Sequence, residues 1–149
     1  MRGPQSQRWQ RLKGRLEAEP YWRLLGITVE EMGEGYVRLR LPLTASVRNY
    51  GSGPAHGGAL SSLVDMAVGS ALDSLNLPDM VGHVTIDLSI SYLEAAQGEH
   101  VTAEGRMLRV GRTIAVGEAE IRDEDGRLLA KGRAAYLIWR QEKEDVNAP

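Results

Sequence analysis

The sequence contains no cysteine and no phenylalanine among its 149 residues. Without cysteine, a disulfide framework, a thiolate zinc site and a cysteine nucleophile are all excluded. Without phenylalanine, the core must be filled by Leu, Val, Ile, Ala and Met. The three histidines, His56, His83 and His100, are scattered and show no H-x-x-x-H spacing. We therefore expect neither a metal site nor a cofactor.

A long apolar run and a strong charge of one sign are also missing. No segment reaches the roughly 20 apolar residues of a membrane span, and the N-terminus carries Arg2, Arg8 and Arg11 without the apolar core of a signal peptide. The net charge of -2 and the pI near 5.9 give no bulk attraction to nucleic acid or anionic lipid. These absences predict a cytoplasmic protein with no nucleic-acid and no membrane partner. The length fits one domain with a real core.

The stretch from Asn49 to Leu75 is the most informative part of the chain. It begins as a loop rich in Gly, Ser and Pro and becomes a segment with helical periodicity that contains neither Lys nor Glu. At 100° per residue it has a broad apolar face and a narrow strip of small or polar residues. The strip consists of Gly58, Ser61, Ser62, Asp65, Gly69 and Asp73. We expect a helix buried nearly all round, with the Asp65 carboxylate on a face that other backbone can approach.

The termini predict smaller elements. Residues 1–20 place Trp9, Leu12 and Leu16 at helical spacing, so we expect an N-terminal amphipathic helix that packs on the body and ends at Pro20. Residues 21–26 are interpreted as an aromatic turn. The main domain should span residues 21–140, and the polar residues 141–149 should form a frayed tail.

Strand patterns occupy most of the remaining chain. A hairpin is expected from residues 27–32 and 36–43, and further strands from residues 101–110, 113–122 and 128–139. The clearest alternation sets Val84, Ile86, Leu88, Ile90 and Tyr92 against Thr85, Asp87, Ser89 and Ser91. Short turns favour antiparallel pairing. The pattern predicts an α+β fold, with a curved antiparallel sheet wrapped around one long central helix and exposed edges that dimerisation could close.

Several short motifs follow one another at defined distances. They are Asn49, His56-Gly57-Gly58, Asp65 nine residues after His56, the T-x-D strand of Thr85-Ile86-Asp87, Gly111-Arg112-Thr113, and the turn Asp125-Gly126-Arg127. In combination they resemble the hot-dog-fold acyl-CoA thioesterases, within these the PaaI-like group of the 4-hydroxybenzoyl-CoA thioesterase superfamily. The similarity runs from about residue 21 to residue 139.

The resemblance implies a hot-dog fold in which the sheets of two protomers become continuous and the active sites lie between protomers. It implies hydrolysis of acyl-CoA without metal or cofactor, a homodimer as the smallest active unit, and favours a homotetramer. Carried over residue by residue, Asp65 is the nucleophile or the base that activates water. Gly57 supplies the N–H that binds the thioester oxygen. Asn49 and His56 lie beside the reacting group, and Thr85 helps to place the water.

Four further residues are expected to bind substrate. Gly58 lets the substrate approach without a Cβ in the way, and Val84 is expected to contact the substrate or its CoA part. Arg112, after Gly111 at a strand start, is suited to CoA phosphates because a guanidinium pairs with phosphate in a bidentate manner. Structural alternatives stay open for these positions: Asp65 could be a buried structural carboxylate, for example.

Two other functions are compatible with the same fold. Hot-dog folds also host hydratases and dehydratases, although the carboxylate here follows the histidine by nine residues, unlike the arrangement that those enzymes use. A non-catalytic acyl-CoA-binding protein is the other alternative. As a transcriptional sensor it would need a DNA-binding module, for which residues 1–20 are too short.

Overall fold

The computed structural model describes residues 3–142, which form three α-helices and six strands. The helices are α1 (Pro4–Glu17), α2 (Pro20–Leu25) and α3 (Gly57–Ser74); the strands are β1 (Thr28–Gly33), β2 (Tyr36–Pro42), β3 (Met80–Tyr92), β4 (His100–Val110), β5 (Ile114–Arg122) and β6 (Leu128–Arg140). Two short 3-10 turns, Ala45–Val47 and Asn49–Gly51, lie in the loop before α3. Within the described range, no helix is both long and apolar enough to span a bilayer.

All six strands form one antiparallel sheet, in the order β1-β2-β4-β5-β6-β3. Helix α3 packs against β2, β4, β5 and β6, so one face of the sheet is curved around it. This is the hot-dog arrangement, and the predicted fold class is confirmed. The expected hairpin also forms, between β1 and β2, and the predicted strand ends agree with β4, β5 and β6 to within one residue.

Helix α3 begins and ends where the sequence places its boundaries. His56 is the N-cap residue: its backbone is extended (φ -64°, ψ 133°) and its Nδ1 accepts a hydrogen bond from the Gly58 N–H at 2.9 Å. The helix ends at Ser74, before Asn76 with φ 51° and the following proline. On the apolar face, Leu63, Val64, Ala67 and Ala71 are fully buried, as the periodicity predicts.

Glycines let α3 approach the middle of the sheet closely. A Cβ at Gly117 would lie 2.5 Å from Val68 Cγ1, and one at Gly132 would lie 2.6 Å from Val64 Cγ1. A Cβ at Gly105 would overlap the carbonyl of Ala67, which is backbone and cannot rotate away. The glycines of three successive strands therefore set the depth at which the helix sits.

The N-terminal segment differs in part from the prediction. Helix α1 forms and packs on α3 and β1, with Leu16 buried. The expected aromatic turn is wrong: residues 20–25 form the short helix α2, because Pro20 starts a new helix at its first turn, where a missing N–H costs nothing. Trp22 is buried, and Gly26 caps the helix with φ 76°. The domain boundary at residue 20 stays a prediction, and residues 143–149 of the predicted tail lie outside the described residues.

Strand β3 is an edge strand with a β-bulge that the alternation did not predict. The register shifts between Thr85 and Asp87, so Thr85 pairs with Tyr136 and Leu88 with Ala134. Tyr136 and Ala134 both lie on the buried face of β6. Thr85 therefore faces the same side as Leu88, whereas strict alternation places the two on opposite faces. An extra residue in one strand of a pair has this effect.

Candidate active site

Three elements converge on the side chain of Asp65, midway along α3. Its Oδ1 accepts one hydrogen bond from Thr85 Oγ1 of β3 and one from the Tyr136 hydroxyl of β6, both at 2.7 Å. The Tyr136 hydroxyl also lies 2.7 Å from the backbone carbonyl oxygen of Asp65. The bulge in β3 makes this possible, because it turns Thr85 toward the helix. The carboxylate is thus held from two strands.

Asp65 is not sealed in the core but lies at the wall of a pocket of about 360 Å³. The pocket is bounded by α1, α2, α3, β3 and β6, and it combines apolar and aromatic side chains with a few polar groups, as ligand pockets do. Its lining includes Leu16, Glu19, Tyr21, Trp22, Ser62, Met66, Asp73, His83, Val84, Thr85 and Tyr136. Val84, expected beside the substrate, is 43% exposed there.

The N-terminus of α3 presents a second set of groups. The first N–H groups of a helix have no acceptor within it, and they carry the positive end of the helix dipole. Tyr92 of β3 donates a hydrogen bond to the Gly57 carbonyl at 2.7 Å, and a Cβ at Gly57 would lie 3.2 Å from the Tyr92 ring. Since the Gly58 N–H already donates to His56 Nδ1, the Gly57 N–H is the group that this helix end can offer to an oxyanion.

A single chain does not bring these two sets together. Gly57 and Asp65 are eight residues apart on the same helix, which corresponds to about 12 Å along its axis. Within the described chain the two groups are therefore too far apart to contact the same carbonyl. The roles assigned to these residues stay predictions.

Asn49 lies in the loop before the helix and not in the Asp65 pocket. It starts the 3-10 turn Asn49–Gly51, donates its backbone N–H to the Pro54 carbonyl and accepts from the Gly53 N–H, both at 2.9 Å. The His56 N–H donates to the Val47 carbonyl at 2.7 Å, which ties this loop to the helix start. Asn49 is thus grouped with the helix end rather than with the carboxylate.

Gly111 and Arg112 lie in the turn between β4 and β5. Their carbonyl oxygens accept hydrogen bonds from the Arg140 guanidinium at 3.1 and 2.7 Å. The exposed Arg112 side chain lines an open cavity of about 800 Å³ together with Asp79 and Arg140. This cavity shares no lining residue with the Asp65 pocket.

Sequence reasoning missed two polar groups of the site. Tyr136 lies on the buried face of β6, between Ala134 and Ile138. A hydroxyl-bearing aromatic residue in an otherwise apolar row is the sequence signal that could have identified it. The second group is a pair in which His83 Nε2 lies 2.9 Å from Asp73 Oδ1. The His83 ring meets Tyr136 edge-on, with centroids 5.1 Å apart.

Both groups have shifted pKa values. Burial raises the pKa of the Tyr136 hydroxyl, and the hydrogen bond and negative charge of Asp65 raise it further. Tyr136 therefore stays neutral at physiological pH and keeps its proton to donate. The hydrogen bond to Asp73 raises the pKa of His83, burial opposes this, and the charges of Asp73 and Asp65 add to the rise.

The His83–Asp73 pair should stabilise the fold in a pH-dependent way. Since the pKa of His83 is raised above its ordinary value of 6.5, its contribution is complete below about pH 6 and disappears as the pH rises through the folded-state pKa. Denaturant unfolding at several pH values should show that His83→Gln costs more stability at pH 6 than at pH 9. Arg109→Gln, at an exposed position of β4, serves as a control without such dependence. An equal cost at both pH values would contradict the pairing.

The described part of the chain contains no cluster of three or more His, Asp or Glu side chains arranged to hold a metal ion. What the site does offer is a fixed carboxylate in an open pocket and a glycine-flanked helix end. A carboxylate of this kind can act as a general base or a nucleophile, and the helix end can stabilise an oxyanion. These are the groups required for acyl-transfer hydrolysis.

Known proteins are similar to this chain in sequence and in fold. Residues 52–130 match the family described as the thioesterase superfamily. The chain is 35% identical over 127 residues to a putative esterase of Halobacterium salinarum, covering 79% of this chain and 83% of that one. It is 29% identical over 132 residues to the medium/long-chain acyl-CoA thioesterase YigI of Escherichia coli, covering 80% and 85%. The structure of the E. coli PaaI protein superposes with a TM-score of 0.77 at 25% identity, covering 88% and 92%.

The chain belongs to the thioesterase superfamily. It is a hot-dog-fold enzyme of the PaaI-like group, and it hydrolyses thioesters.

Proposed function

We propose that the protein hydrolyses acyl-CoA thioesters at a site shared by two copies of the chain. In this site Asp65 of one copy faces the α3 N-terminus of the other. The proposal is carried by one observation: Asp65 is held by Thr85 and Tyr136 at the wall of an open pocket, while the helix end that could bind an oxyanion lies two turns away on the same helix.

The chemistry requires both groups on one thioester. Hydrolysis places negative charge on the carbonyl oxygen in the transition state, and the Gly57 N–H at the helix start is suited to hold it. The Asp65 carboxylate either takes a proton from the attacking water or attacks the carbonyl carbon itself. His56 and Asn49, grouped with the helix end, are proposed to contact the thioester from that side, and Gly58 leaves room for it.

Strand β3 supports the proposal that two copies of the chain share the site. It is an edge strand of 13 residues whose outer edge is unpaired within the described chain. Long edge strands are usually covered or charged, yet this one exposes large apolar side chains: Val81, Val84, Ile86, Leu88 and Tyr92 are between 37% and 73% exposed. A second copy of the same edge would cover them.

The position of the two groups on β3 fits a two-fold pairing of that strand. Thr85 binds the Asp65 carboxylate near the start of β3, and Tyr92 binds the Gly57 carbonyl at its end. If two β3 strands pair antiparallel about Leu88 and Ser89, Thr85 of one copy lies opposite Tyr92 of the other. That register would bring Asp65 of each copy toward Gly57 of the other. A homodimer is then the minimal active unit, and we expect a homotetramer built from such dimers.

The experiment that tests this function is a thiol-release screen. Short, medium, long and aromatic acyl-CoAs are incubated with the enzyme and with the Asp65→Ala variant, and free CoA is followed. We expect release with at least one class and none above background with the variant. If no acyl-CoA is cleaved while simple thioesters are, the CoA assignment is wrong.

Arg112 is proposed to contact CoA phosphates, with Gly111 shaping its turn. Arg112→Glu should raise KM for acyl-CoA about tenfold with a smaller effect on kcat, because a hydrogen-bonded charge pair contributes about 1.5–3 kcal/mol. The matched control is Arg133→Glu, on the outer face of β6. A KM that stays at the wild-type value in Arg112→Glu would remove this residue from the site.

A further inference from the structure

We propose that Tyr136 is a positioning residue which, together with Thr85, fixes Oδ1 of Asp65 and leaves Oδ2 as the oxygen that acts on water or on the thioester. This inference rests on the proposed function and assigns separate tasks to the two oxygens of one carboxylate. Tyr136 is proposed to act through the carboxylate, which its hydroxyl contacts at 2.7 Å.

The hydrogen bonds define this division. Thr85 Oγ1 and the Tyr136 hydroxyl both reach Oδ1 at 2.7 Å, and none of the hydrogen bonds found in residues 3–142 reaches Oδ2. No buried polar side-chain atom in that range lacks a partner, so Oδ2 is not a buried orphan. Two neutral donors on one oxygen fix the orientation of the carboxylate, and the other oxygen is left with its lone pairs free.

Tyr136 can hold this position because its ring is confined on several sides. It is only 2% exposed. A Cβ at Gly69 would lie 3.4 Å from the Tyr136 hydroxyl, in ordinary van der Waals contact, so α3 packs directly against this group. The edge of the ring meets His83, which is in turn held by Asp73 at 2.9 Å. A confined donor loses little entropy when it binds the carboxylate, which is the requirement for a positioning group.

The electrostatic surroundings keep the donor in place across the working pH range. The titratable groups that line the pocket with Asp65 are Glu19, Tyr21, Asp73, His83 and Tyr136, from the α1–α2 junction and from α2, α3, β3 and β6. Asp73 is paired with His83. Burial raises the pKa of Tyr136. This hydroxyl therefore keeps its proton at neutral and mildly alkaline pH.

The test is Tyr136→Phe, which removes the hydroxyl and keeps the ring. We expect kcat for acyl-CoA to fall about 10- to 100-fold, the value for a lost hydrogen bond to a charged group, with KM within about twofold of wild type. Thr85→Val removes the other donor at nearly constant volume and should give the same signature. Tyr36→Phe, on β2, is the matched control.

A double variant separates positioning from an independent effect. If Tyr136 acts through Asp65, then Tyr136→Phe should have no further effect on the residual rate of Asp65→Asn. The same fold-loss in both backgrounds would overturn the inference, and so would Tyr136→Phe with wild-type kcat. An inactive wild-type enzyme would instead refute the proposed function, so the two failures can be told apart.

Discussion

Asp65→Asn should lower kcat for acyl-CoA hydrolysis by about 10³-fold while the fold and the assembly survive. Asparagine keeps the shape of the side chain and can still accept hydrogen bonds from Thr85 and Tyr136. It cannot take a proton from water or form an acyl intermediate, and general base catalysis contributes about 10²–10⁴-fold. Thiol release under saturating substrate measures kcat, and circular dichroism together with sedimentation checks that the variant is folded and assembled.

The control for this variant is Asp125→Asn, an exposed residue in the turn between β5 and β6, which should retain wild-type kcat. Full activity of Asp65→Asn would show that the carboxylate is structural. The same proteins incubated with a trans-2-enoyl thioester decide between hydrolysis and hydration: a hydratase would add water across the double bond and release no thiol.

The second large effect concerns the Gly57 N–H, and whether it acts together with Asp65 of the same chain or of another copy. Gly57→Pro should reduce kcat by about 10²–10³-fold, the cost of one oxyanion donor, because proline has no N–H. The substitution suits the backbone, since Gly57 is the first residue of α3 and His56 before it is already extended. Gly57→Ala adds the same Cβ, 3.2 Å from the Tyr92 ring, but keeps the N–H. It is therefore the matched control, and it should lose much less activity than Gly57→Pro.

Mixing the two defects then tests the shared site. Heterodimers of Asp65→Asn and Gly57→Pro chains, isolated by two different tags, should regain about half of the wild-type activity, because one of two sites receives an intact carboxylate and an intact helix end. The homodimers of each variant serve as controls and should stay inactive. Heterodimers that stay as inactive as the homodimers would show that both groups act within one chain, or that they do not act together.

Much of the fold follows from local patterns in the sequence. The apolar face of α3 is such a local signal, and the structure confirms it. Antiparallel pairing of the later strands follows from their short turns. The prediction of Asp65 as a site residue also starts from a local signal, because a carboxylate in a helix without lysine or glutamate needs an explanation; its role stays a prediction.

The parts that could not be predicted depend on contacts between distant residues. The bulge at Thr85 depends on how β3 pairs with β6, and the alternating apolar pattern gave no sign of it. The approach of Tyr136 to Asp65 spans 71 positions in the chain. The aromatic segment after residue 20 was wrongly interpreted as a turn, because six residues are too few for helical periodicity to be visible.

The three glycines under α3 have a consequence for how this enzyme can change its preferred substrate. Val64, Ala67 and Val68 of α3 pack directly against the three glycines of the sheet. Larger side chains at these positions would therefore push the helix away from the sheet. Ser62, Met66 and Ser70 border the cavity instead. On α3, we therefore expect changes in acyl preference to arise from this side of the helix, and libraries aimed at new specificity should include these three positions.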